Sequence, residues 1–286
     1  MSKLTNIVDK KELSLHFDGN KIGVVTALQS ELDALIRLAK NDHEIVTPSR
    51  VYHKLTFQEN GTEFTVIGHS LNKMGMTSMT ITLMEMLSDF SLEYLALIGI
   101  AAGSDSENQD FGDLLIPTKI FNYESGKYTQ DKEEKIIFTS DKDSHDVDTD
   151  IIQQLSVIAN NQNILDSIQN AWHEKKGYKL KAHVDNFACG SSVVASKCRV
   201  AEIEKDIARK YIGIDMETYA IVAVNQLKAK VEPKMFAIKA ITDFADSDKD
   251  NTAHSYASFT ASKFFLEFCS RILVDRIKEK RVRHAI

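Results

Sequence analysis

Met235-Phe-Ala-Ile-Lys-Ala-Ile-Thr-Asp-Phe-Ala-Asp246 is the stretch that decides the fold. A short apolar run rich in β-branched and aromatic residues, closed by polar ones, reads as a buried strand over Met235 to Ile241. In layered α/β proteins ligands bind at the carboxyl ends of such strands, so Asp243 stands where a catalytic carboxylate belongs. Asp246, three residues on, fits an ordinary helix start. Working outward, Lys21 to Thr26, Tyr94 to Ile100 and Asp113 to Ile116 read as further buried strands. Between them the period changes. Met76, Met79, Leu83 and Met86 share one helical face, as do Met216, Tyr219, Ala220, Ala223, Val224 and Leu227. Ala261, Phe264, Phe265, Phe268 and Ile272 line one side of a last long helix. Strands alternating with helices predict an α/β layer fold.

The chain has 286 residues, 43% of them hydrophobic, enough for one large core, and a single domain over 1–286 is expected. Residues 1–20 read as an N-terminal extension. The highly charged segment Tyr128 to Asp150 reads as an excursion from the core, and with the helical pattern Ile151, Leu155, Ile158 it forms an insertion over 128–182. A net charge of -6 argues against nucleic-acid binding, which needs clustered excess Lys and Arg. Lys278, Lys280, Arg281 and Arg283 fit a solvated helix end. Cys189, Cys198 and Cys269 match no disulfide framework or metal spacing and read as reduced thiols. No run approaches the ~18 apolar residues of a membrane span, so no membrane association and a cytoplasmic location are expected.

Four stretches carry unusual local chemistry. Ile22-Gly-Val-Val-Thr-Ala-Leu-Gln-Ser-Glu31 is a strand running into a helix start with a carboxylate in its first turn, which also suits plain helix-start preferences. Leu97-Ile-Gly-Ile-Ala-Ala-Gly103, followed by Phe111-Gly-Asp-Leu-Leu-Ile116, puts small residues at a strand end, where backbone can approach a ligand or simply turn. In Gly213-Ile-Asp-Met-Glu-Thr-Tyr-Ala220, Asp215 fits an N-cap, whereas Glu217 needs another account if it faces inward. The fourth is Ile241-Thr-Asp-Phe-Ala-Asp246.

In this order, Glu31 after its strand, the Gly99 to Gly103 turn, Phe111-Gly-Asp113, Asp215-Met-Glu217 and Thr242-Asp-Phe-Ala-Asp246 resemble the nucleoside phosphorylase superfamily. Within it they are most similar to the methylthioadenosine/S-adenosylhomocysteine nucleosidases, over roughly residues 20 to 275. Asn72-Lys-Met-Gly-Met76, Asn122-Tyr-Glu-Ser-Gly-Lys127, Cys189-Gly-Ser-Ser-Val-Val-Ala195 and Asp243-Phe-Ala-Asp-Ser-Asp-Lys249 resemble a narrower group. That group is often associated with bacterial defence, and some members hydrolyse adenine nucleotides.

The resemblance implies a three-layer α/β/α fold around a central twisted mixed sheet, and hydrolysis of the N-glycosidic bond of a purine nucleoside or nucleotide, with adenine the favoured base and guanine the alternative. By their match to the family's motifs, Asp243 would protonate the purine at N7, Glu217 would grip the ribose hydroxyls with Met216 against the sugar, and Glu31 would activate water. Gly99, Ile100 and Ala101 would form the turn beside the sugar, with Ile100 where the family usually carries a Ser. Val193 would replace the aromatic that stacks on adenine, and Val194 would supply a backbone contact. Phe187 and Phe244 are further candidates for the base wall, although each suits the core better. Arg50, Lys54, Lys73 and Lys127 are cations that could meet a 5′-phosphate chain, and each equally suits a solvated surface.

No Arg lies between Ile22 and Ile36, where phosphorylases of the superfamily place a phosphate ligand, which favours water as nucleophile. A phosphate-dependent phosphorylase and a non-catalytic nucleotide sensor remain the alternatives. The expected partner is a small purine nucleoside or nucleotide, with a further copy of the chain as homo-oligomer. No cofactor and no metal are expected.

Overall fold

The computed structural model describes residues 21–47, 50–207, 210–227, 233–245 and 252–283. The extension 1–20, Asp246 and Lys249 lie outside the described residues, as do the side chains of Lys278, Lys280, Arg281 and Arg283. In chain order the elements are β1 (Ile22–Thr26), α1 (Gln29–Ile36), β2 (Asn41–Val46), β3 (Val51–Glu59), β4 (Thr62–Ser70), α2 (Met76–Asp89), β5 (Tyr94–Gly103), β6 (Leu114–Asn122), β7 (Gly126–Gln130), β8 (Ile136–Ser140) and β9 (Ser144–Asp146). There follow α3 (Thr149–Ala159), α4 (Gln162–Asn170), β10 (Ala182–Cys189), α5 (Lys197–Ile207), β11 (Gly213–Asp215), α6 (Ala220–Leu227), β12 (Lys234–Asp243) and α7 (Thr252–Arg283).

The central sheet runs β11-β10-β6-β12-β5-β1-β4-β3-β2, with β9 on β6. It is mixed: β5 is parallel to β1 and β12, whereas β12 meets β6 antiparallel and β3 meets its neighbours antiparallel. Side chains alternate across a strand, and the apolar strands therefore feed two cores. Val24, Ala96, Ile98, Phe236 and Ile238 face the layer of α1, α3, α4 and α7, where Leu35, Ile151, Leu165, Phe264, Phe265 and Phe268 pack. Val25, Leu95, Leu97, Met235 and Ala237 face α2 and α6 through Met79, Leu83, Met86, Ala220 and Val224. The result is the expected three-layer α/β/α architecture.

β11 also pairs antiparallel with β5, so β5, β12, β6, β10 and β11 close into a ring. Its interior holds Ala101, Leu115, Phe187 and Ile241. For Phe187 the core reading holds, and for Leu227 the expectation changes. Phe187 is fully buried inside this ring, because alternate residues of a closed strand must point inward. Leu227, expected on the apolar face of its helix, is 69% exposed: α6 begins only at Ala220, after a turn that contains Met216 and Tyr219. The charged excursion contains a hairpin, β7 with β8, that pairs only with itself.

Candidate active site

β1, β4, β5 and β12 run parallel, which brings their carboxyl ends to one edge. There a cavity of about 320 Å³ opens, with Glu31, Ile100, Ala101, Val193, Met216 and Asp243 in its wall. Glu217, Val194, Met74 and His254 line it too.

Glu31 stands in the first turn of α1 and is 2% exposed. Its Oε2 accepts from the Leu28 amide at 2.8 Å and its Oε1 from the Ile100 amide at 2.7 Å. The second contact depends on Gly99, whose φ is +154° and where a Cβ would stand 2.2 Å from Oε1. Any side chain at residue 99 would therefore displace the carboxylate. Gly99 thus shapes the site from beneath, while Ile100, in place of a hydroxyl residue, contributes its N–H. Burial raises the Glu31 pKa above the usual carboxylate range, against the opposing pull of Lys239.

Lys239 lies opposite Gly99 on β12 and is fully buried. Its Nζ lies 3.0 Å from Asp215 Oδ2, an ionic contact sealed from solvent. Burial works against the ammonium, but Asp215, Glu31 and Glu217 more than offset it and hold the proton above the ordinary lysine range. Asp215 also accepts from the Glu217 and Thr218 amides and the Thr218 hydroxyl, so it fastens the turn before α6. That turn aims Glu217 inward. Glu217 is 5% exposed and accepts from the Gly75 amide at 2.8 Å. Burial first, and Asp215 second, push its pKa up to about 7, with Lys239 opposing.

Asp243 ends β12 just past a register shift between Ile241 and Asp243. Such an irregularity re-aims the side chain that follows it. The Ala245 amide donates to Asp243 Oδ1 at 2.9 Å, across a turn in which Ala245 takes a left-handed φ of +55°. Among the described residues Oδ2 has no such partner.

The structure thus gathers Glu31, Glu217, Asp243, Met216, Val193, Val194, Ile100 and Ala101 around one cavity. Other expected residues stand elsewhere. Phe187 lies in the ring of strands, and Phe244 packs 5.6 Å from Phe111. Lys73 is exposed next to Met74 at the rim, and Lys127 is exposed on β7; neither lines the cavity. Arg50 is committed to Glu85 and to His69, so it is a structural cation. Lys239 and His254 were not anticipated. The signal for Lys239 was present, a lone cation inside an apolar strand, whereas nothing local marks His254.

A family model described as the phosphorylase superfamily matches residues 21–273. The chain belongs to the phosphorylase superfamily. A curated relative, the uncharacterised protein y4jS of Sinorhizobium fredii (strain NBRC 101917 / NGR234), is 25% identical over 257 residues, which cover 87% of this chain. The match spans 61% of the relative's length. Solved structures with the same architecture include a Streptococcus pneumoniae 5′-methylthioadenosine/S-adenosylhomocysteine nucleosidase with a transition-state inhibitor, at TM-score 0.65 and 17% identity, covering 87% of this chain and 98% of that one. The futalosine hydrolase of Helicobacter pylori aligns with TM-score 0.63 and 20% identity, covering 87% and 97%. At these identities the likeness is one of fold.

Proposed function

We propose that this superfamily member hydrolyses the N-glycosidic bond of an adenine nucleoside or nucleotide, releasing free base. The observation that carries the reading is the convergence of Glu31, Glu217 and Asp243, from three separate parts of the chain, on one cavity backed by a buried cation. Cleavage leaves an oxocarbenium-like sugar and moves electrons onto the purine. Asp243, its Oδ1 held by the Ala245 amide, turns Oδ2 to N7 and protonates the departing base. Glu217 takes the ribose hydroxyls with Met216 against the sugar, and its negative charge stabilises the developing cation. Glu31, fixed by two amides, orients water and takes its proton. Lys239, paired with Asp215, offsets the repulsion between the buried Glu31 and Glu217. Acid at the base and water on the opposite face of the sugar is the arrangement for inversion.

Water rather than phosphate is supported by the wall itself. Among its described residues stand four carboxylates, from Glu31, Asp215, Glu217 and Asp243, with no Arg and no Lys. A phosphate nucleophile would find no guanidinium or ammonium in that wall to receive it. Free base should therefore form from adenosine at an unchanged rate in buffer stripped of phosphate, and the sugar product should carry no 1-phosphate. Strict phosphate dependence would place the chain among the phosphorylases.

The homo-oligomer expected from the resemblance is also proposed. Its support is a second cavity of about 650 Å³ beside Val193, where Tyr128 and Ile136 of the hairpin are 70% and 66% exposed. Apolar side chains so presented on a surface hairpin suit burial against another chain.

A further inference from the structure

The stretches 122–127 and 189–195 carry little of the mechanism above, yet they meet beside it. Gly190 lets the Tyr123 ring lie against the chain, since a Cβ there would stand 2.1 Å from that ring. The Tyr123 hydroxyl donates to the Ser192 carbonyl at 3.4 Å, and Glu124 accepts from the Ser191 amide. So braced, Ser192, Val193 and Val194 run without helix or strand and line two cavities at once. One is the catalytic cavity, and the other is the cavity of about 650 Å³ that the β7–β8 hairpin helps to wall. Val193, expected in place of an aromatic, is 58% exposed. A valine there leaves open a passage that an aromatic ring would close. In the larger cavity the charged groups are already engaged or lie in solvent. Arg199 donates to Glu202 at 3.1 Å and stands 5.7 Å from the centre of the Tyr123 ring, and Lys205 is exposed. What this cavity offers a ligand is apolar: Ile136, and the rings of Tyr128 and Phe138, 4.9 Å apart.

We propose that the larger cavity receives a substituent carried by the six-membered ring of the purine, so that the substrate class includes adenines extended at the exocyclic nitrogen by an apolar or aromatic group. This rests on the nucleosidase reading and names the substrate class of that same site. With N7 on Asp243, the ribose on Glu217 and the base against Val193, the six-membered ring points away from the sugar, and a group attached to it is directed past Val193 and Val194. Seated against Tyr128 and Phe138, an aromatic group leaves water and gains ring contacts, and both effects favour binding. A charged extension would find no comparable welcome, because Arg199 and Glu202 already satisfy each other.

The test compares kcat/KM for adenosine and N6-benzyladenosine, and for the 5′-monophosphate of each, in the native chain, in Ala195→Trp and in Tyr128→Ala, with thermal melts of all three. Of the two cavities Ala195 lines only the larger, and Tyr128 is 70% exposed, so its truncation leaves the core intact. The native chain should cleave the benzyl form at least as well as the plain one. Ala195→Trp puts an indole into the larger cavity and should lower the ratio of kcat/KM for benzyl over plain substrate about tenfold, while the plain substrate is cleaved as before. Tyr128→Ala removes one of the rings and should lower the same ratio by a smaller factor. A native chain that cleaves the plain substrate and refuses the benzyl form, as it would if another copy filled the cavity, would overturn the inference and leave the nucleosidase reading standing. A ratio unmoved by both substitutions would also overturn the inference alone. No base release from any of the four substrates would overturn both.

Discussion

Asp243→Asn should fold, retain ligand and lose turnover by a factor on the order of 10²–10⁴, the range general acid catalysis supplies. The asparagine keeps the size of the side chain and an oxygen for the Ala245 amide, so the turn after β12 survives. It removes the carboxyl proton. The purine must then leave with its electrons unneutralised at N7, and the chemical step alone slows. Single-turnover release of free base, with thermal melts and ligand-induced stabilisation measured alongside, separates this from misfolding. A well-folded Asp243→Asn chain with native turnover would remove Asp243 as the acid and undo the roles given to Glu31 and Glu217.

Lys239→Met should be inactive and less stable by about 3–5 kcal/mol, the usual result of removing one partner from a buried ionic cluster. In a chain of this size that lowers Tm by roughly 10 °C. Methionine fills much of the space of the lysine stem but leaves Asp215, Glu31 and Glu217 buried without a cation. The loss should depend on pH. Glu217 is already raised from 4.5 to about 7 with Lys239 present, and without the ammonium it moves higher. A carboxyl whose folded pKa is raised binds more protons folded than unfolded, so its stability is kept below about 4.5 and is lost as pH rises through the folded value. The variant should therefore lag the native chain least at acid pH and most above neutrality, in melts taken from pH 5 to 8. An equal deficit at every pH would show that Lys239 acts through packing rather than charge.

Much of the architecture is legible because buried parallel strands must be apolar on both faces. Ile22–Thr26, Tyr94–Gly103 and Lys234–Asp243 fill both cores by simple alternation, and the sequence shows them as near-continuous apolar runs. β2 and β3 leave no apolar run in the sequence for the opposite reason. They run antiparallel at the edge of the sheet, where Asp42, His43, Glu44 and Lys54 replace the apolar pattern. Phe187 admits both a pocket and a core reading because a ring near a strand end serves a pocket or a closed ring of strands equally well, and only the β11–β5 pairing distinguishes them.

In the site, Glu31, Glu217 and Asp243 were found through the order of short motifs, since each carboxylate alone suits a helix start or turn. What pattern could not supply was the charge balance. Lys239 meets Asp215 across 24 residues of sequence, and the Glu31 carboxylate reaches the Ile100 amide across 69. Such contacts follow from strand register. Lys73 and Lys127 were drawn in by proximity in sequence to site motifs, yet side chains that are exposed and outside the wall give no reason to hold substrate.

Whether water cleaves the bond between purine and ribose is read from turnover of adenosine in water enriched in heavy oxygen. Free adenine and a ribose carrying one heavy oxygen at C1 should form, in phosphate-free buffer and at the same rate with phosphate added. Both adenosine and its 5′-monophosphate left intact, or base release that appears only with phosphate and yields unlabelled ribose 1-phosphate, would contradict it.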